Sequence, residues 1–110
     1  MKSLTLQLKE ICDALVAVTS KTYHYEKPAS VKAPYIVWAE LGEDTSFHSD
    51  NMKVEQQVVG YVEYFTQTEY DTTIDSIQEA LNSVCAWALD SVLYEDETKL
   101  IHYVWAFKVI

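Results

Sequence analysis

The chain of 110 residues contains no arginine: its eight basic residues are all lysines, set against 17 Asp and Glu, for a formal net charge of −9. Without the planar guanidinium fork, it has no two-point reader of guanine and no two-point phosphate clamp. That speaks against sequence-specific nucleic-acid recognition, and the charge balance opposes non-specific duplex binding. Glycine is almost as scarce. Gly42 and Gly60 are the only two, too few for a glycine-rich phosphate cradle, and no G-x-S-x-G elbow is present. The two cysteines, Cys12 and Cys85, lie far apart with no close-spaced partner pair. They do not make a zinc site. With no secretory context to favour a disulfide, they are expected to be reduced thiols on helical segments. No run of about 18 apolar residues occurs. The opening "MKSLTLQLKEICDALVAV" carries Lys9, Glu10 and Asp13 where a signal peptide needs an unbroken apolar stretch. The expectation is a soluble chain that stays in the cytosol and has no membrane partner.

What the chain does have is apolar content, 49% of its residues. That is enough for a core and excludes a disordered chain. One domain spanning 1–110 is expected at this length.

Periodicity orders the elements. Leu4, Leu8, Ile11, Leu15 and Val18 recur at helical spacing behind an N-cap at Ser3. "KTYHYEK" (21–27) is β-branched and aromatic and predicts a short strand. "PASVKAP" holds both prolines and predicts an irregular connection. "PYIVWAEL" (34–41) is nearly all apolar, as in a strand buried on both faces, and polar 42–52 predicts a long hairpin loop. In "KVEQQVVGYVEYFT" (53–66), Val54, Val58, Val62 and Tyr64 alternate against Glu55, Val59, Tyr61, Glu63 and Phe65. Gly60 there suggests a bulge or a close backbone approach. "QTEYDTTIDSIQEALNSVCAWAL" predicts a second helix through Ile74, Ile77, Leu81, Val84 and Ala88, capped by 71–73, with Asp75, Gln78, Glu79 and Asn82 outward. "SVLYEDETKLIHYVWAFKVI" predicts a closing hairpin turning at 94–99. The order α-β-β-β-α-β-β predicts an α+β fold, two helices packed on a mostly antiparallel sheet.

The stretch that most suggests chemistry is "SFHSDN" (46–51). Adjacent residues on a loop point in different directions, whereas a catalytic triad is assembled from separated positions. His48 and Asp50 lack a declared third metal ligand. His24 and His102 fall among strand aromatics, where a hydrogen-bonded structural histidine is the default. No cofactor and no catalytic residue are expected. The acids of "GEDTSFHSDN" and "YEDETK" default to solvated loop charge. The sharper alternative is that the two loops set a ring of carboxylates on one side of an assembly. The strand aromatics occupy both faces of the sheet, more than two helices on one face can cover, which favours oligomerisation.

These features together resemble a known family. An amphipathic first helix, "TYHYEK", "APYIVWAEL", a polar loop, "VEYFTQTEYDTTIDSIQEALN" and a closing "HYVWAFKVI" follow one another as in the tail terminator (tail completion, or head-to-tail joining) proteins of long-tailed phages and prophages. The resemblance spans nearly the whole chain and is a pattern of elements, not of invariant catalytic residues. It implies a non-enzymatic virion subunit assembled in the bacterial cytoplasm. Such subunits form a ring, usually hexameric, that caps the tail tube and meets the head connector. Its partners would be copies of itself, the tube protein and the connector. Loop 42–52 matches the family's contact loop, which nominates Glu43, Asp44, Phe47, His48, Asp50 and Asn51 as partner contacts. Glu95, Asp96 and Glu97 are nominated as lumen or surface acids. Two other classes stay open: a small-molecule-binding or enzymatic domain using the tyrosines with His24 or His102, and an acidic DNA-mimicking inhibitor.

Overall fold

The computed structural model describes residues 3–44 and 56–109. Helix α1 (Leu4–Val18) is followed by strands β1 (Thr22–His24), β2 (Tyr35–Glu43) and β3 (Val58–Thr66). Helix α2 (Thr73–Asn82) and strands β4 (Ala86–Glu95) and β5 (Leu100–Val109) complete the chain. This is the expected α+β order. The five strands form one sheet in the order β1-β2-β3-β5-β4. Among the described residues only the β1–β2 pair is parallel; the other three pairs are antiparallel.

Both helices cover one face of the sheet. Ile11 and Leu15 of α1 and Ile77 and Leu81 of α2 meet Ile36, Trp38, Val62, Tyr64, Trp105 and Phe107 in a single buried cluster. Each strand supplies alternate residues to it, as the period of two requires. Ser3 caps α1 by accepting from the Leu6 N–H at 3.4 Å. β2 is buried at four consecutive positions, Tyr35 to Trp38, so both of its faces are covered there.

Gly60 does two things at once. Opposite it, the β2 register shifts between Glu40 and Gly42, leaving Leu41 as the extra residue of a bulge. A Cβ on Gly60 would lie 2.2 Å from the Ala39 carbonyl oxygen and 2.6 Å from the Phe107 ring. The missing side chain lets strand and ring close together.

Three expectations need correction. The second helix does not continue to residue 89; it ends at Asn82 with Ser83 as C-cap. Cys85 therefore lies outside the helix, and Ala86 to Leu89 belong to β4, paired with Lys108 to Trp105. A short apolar run fits both periods, and here pairing with β5 decides. Gln78, expected to point into solvent, is half-buried and holds an indole, while Asn82 is exposed as expected and holds another. Trp105 Nε1 donates to Gln78 Oε1 at 3.0 Å and Trp87 Nε1 to Asn82 Oδ1 at 2.7 Å. Finally, β1 stops at His24 because Tyr25 takes a left-handed φ of 75°, and β3 begins at Val58 although 56 and 57 are described.

Candidate assembly surface

The second helix enters through a clasp inside "YFTQTEYD". Tyr64 and Thr66 both point to the helix side of β3, and their hydroxyls donate to Asp71 Oδ2 at 2.6 and 2.8 Å. Asp71 Oδ1 accepts from the Thr73 N–H at 2.9 Å, capping α2 where Thr72 makes no side-chain cap. Burial pushes the Asp71 carboxyl up, but these hydrogen bonds outweigh it and hold the group below its ordinary value. The same burial, together with the Asp71 partner, raises Tyr64. The motif thus fixes how strand and helix join.

On the outer face, which neither described helix covers, aromatic rings run across the strands. Tyr35 stacks on Phe65 at 4.8 Å, and Phe65 on His102 at 4.1 Å. His102 Nε2 lies 3.3 Å from Glu63 Oε1. Burial, followed by the charges of Glu95 and Glu63, raises the Tyr35 phenol. Beside this row the face dips into a solvent-open hollow of about 360 Å³, lined by Leu41, Val59, Tyr61, Ala88, Ala106 and Lys108 among others. Lys108, the cation among its described lining residues, is paired with Asp44 at 2.7 Å. The hollow is apolar and shallow, without a converging set of polar groups among the described residues.

His24 and His102 do not converge. His24 lies between the rings of Trp38 and Tyr25, at 4.0 and 3.8 Å, on the helix side of the sheet. Its Nε2 is 2.7 Å from Glu40 Oε1, and the Tyr25 hydroxyl donates to the other oxygen of Glu40. Burial raises the Glu40 carboxyl, while the bonds from Tyr25 and His24 more than offset it, for a net lowering. Among the described residues, no three His, Cys, Asp or Glu side chains stand where they could hold a metal ion. No described helix is long and apolar enough to cross a membrane.

The nominated acids fall in two places. Glu43 ends β2 and accepts from Gln56 Nε2 at 3.0 Å, and Asp44 holds Lys108. Phe47, His48, Asp50 and Asn51 lie outside the described residues. Glu95 closes β4 and accepts from Thr98 Oγ1 at 2.9 Å; Asp96 and Glu97 are exposed in the turn. Register separates the two groups. Glu43 pairs with Val58, and Val58 with Val109, at one end of the strands, while Glu95 pairs with Leu100 at the other. The described acids of the two loops therefore lie at opposite ends of the strands.

Sequence reasoning missed the first half of the edge strand, because residues 86–89 were hidden under a helical reading. β4 borders the sheet over ten residues. Leu89, Val92, Leu93 and Tyr94 on it are 49%, 47%, 55% and 59% exposed.

No protein-family model matches the chain, and no curated protein matches it in sequence. Among solved structures, a chain of the "Virion of native gene transfer agent (GTA) particle" is similar at 14% identity and a TM-score of 0.47, over 96% of this chain and 90% of that one.

Proposed function

We propose that the protein is a structural subunit of a phage or phage-like tail, and that its copies form a ring capping the tail tube beneath the head connector. The observation that carries this reading is the β4 edge beyond Trp87, where Leu89, Val92, Leu93 and Tyr94 are exposed. A monomer with such an edge is prone to uncontrolled pairing, so a committed partner is the physical solution. The order of elements resembles that of the tail terminator family, which supports this kind of assembly. The acid-rich, arginine-free composition suits a channel through which a duplex moves without being held. Glu43, Asp44, Phe47, His48, Asp50 and Asn51 are proposed as the contact loop toward tube or connector. In this reading the subunit is not an enzyme.

The test is electron microscopy of tail tube protein polymerising with and without this chain. Added protein should stop the tubes short and appear as a ring at one end. Tubes of unchanged length with bare ends would refute the capping role.

A further inference from the structure

A closed ring is built from two different patches, one on each side of the subunit, that fit each other. The two edges of this sheet differ in that complementary way. The line Thr22, Ile36, Tyr64, Tyr103, Val92 crosses all five strands through paired positions. At its β1 end stands Lys21, whose Nζ donates to the Lys32 carbonyl at 2.5 Å. Lys27 lies close by, its Nζ 5.3 Å from the Tyr35 ring. Glu26 is the opposing charge within this group, and Glu40 is already engaged by His24 and Tyr25. At its β4 end, in the same direction along the strands, come exposed Leu93 and Tyr94 and then Glu95, Asp96 and Glu97, with Lys99 as the base of the turn. A lysine cluster and an acidic turn thus occupy opposite edges at nearly the same level. A two-fold pairing of β4 with its own copy centred on Asp90 would instead set Asp90 against Asp90 near the axis, which like charges oppose.

We infer that copies of this chain join head to tail, the β4 edge and acidic turn of one subunit docking on the β1 edge and the Lys21, Lys27 and Lys32 cluster of the next. β1 offers three residues of outer backbone for strand addition. Leu93 and Tyr94 supply apolar contact, and the charges set direction and register. This rests on the ring reading and names the surfaces that close it.

Reciprocal charge reversal tests it. One variant carries Glu95→Lys, Asp96→Lys and Glu97→Lys; the other carries Lys21→Glu, Lys27→Glu and Lys32→Glu. Assembly is followed by light scattering, with circular dichroism to confirm folding. Each variant alone should assemble at least about tenfold more weakly than the unchanged protein, the loss of buried charge pairing at the interface. An equimolar mixture should regain assembly to within about threefold, as an alternating ring. Should either triple variant unfold, Glu97→Lys and Lys27→Glu give the same comparison with smaller losses. If the unchanged protein assembles while either variant matches it, or if the mixture fails to recover, the edge assignment is wrong and the ring stands. If the unchanged protein is monomeric both alone and mixed with tail tube protein, the ring reading falls and this inference with it.

Discussion

Removing the Asp71 carboxylate should destabilise the fold strongly and in a pH-dependent way. Asp71→Ala deletes the acceptor of two hydroxyls and one N–H, at 2.6, 2.8 and 2.9 Å. Tyr64 is 1% exposed, so its hydroxyl loses its carboxylate acceptor away from water and keeps only the neighbouring Thr73 and Thr66 hydroxyls, at about 1–3 kcal/mol. The lost cap at Thr73 adds about 1 kcal/mol. The sum is about 2–4 kcal/mol, which for a chain near 100 residues corresponds to a fall in Tm of roughly 10–25 °C. Asp71→Asn keeps the shape and one acceptor and should cost about 1–2 kcal/mol. Tyr64→Phe should relieve part of the Asp71→Ala loss, leaving a coupling of about 1 kcal/mol in the double variant. The sign with pH follows from the lowered folded value. The unfolded carboxyl titrates near its ordinary 3.8, and the folded one lower. Its stabilisation is fully present above the unfolded value and is lost as pH falls through the folded value. The gap between Asp71→Asn and the unchanged protein should therefore be wide at about pH 7 and narrow well below about pH 4. Urea denaturation at both pH values measures it. An Asp71→Ala cost under about 0.5 kcal/mol, or a gap that does not change with pH, would refute the clasp.

Two further outcomes follow. Gly60→Ala places a methyl 2.2 Å from the Ala39 carbonyl oxygen, a backbone atom that cannot swing aside. It should cost about 2–3 kcal/mol in urea denaturation, at the upper end of overpacking losses; an unchanged midpoint would mean that the β2 bulge relaxes freely. Burial raises the Cys85 thiol to about 11, so at about pH 8 it should react with iodoacetamide far more slowly than the same thiol in denaturant. Equal rates would show that the segment between α2 and β4 opens readily.

The order of elements was legible in the sequence because most segments carry one dominant period. The apolar positions of α1 and the alternation of β3 and β5 both survive as the buried cluster. Gly60 was legible because a lone glycine inside a strand pattern marks a bulge or a close approach, and here it marks both. The join at 83–89 was not legible. "VCAWAL" is apolar at every position, so nothing local distinguishes a helix from a strand, and only the partner strand β5 decides. That one ambiguity hid half of the edge on which the assembly surface depends. The placement of the acidic loops was not legible for a different reason: charge is visible in a sequence, but the end of the sheet it reaches is set by register. "SFHSDN" lies outside the described residues and stands as part of the proposed contact loop.

Ring formation by this chain is the central claim, and the mass of the particle in solution tests it most directly. Multi-angle light scattering on purified protein, alone and mixed with tail tube protein, should give a discrete closed oligomer near six times the 12.6 kDa chain in at least one of the two samples. A 12.6 kDa species in both, up to high protein concentration, would contradict the account.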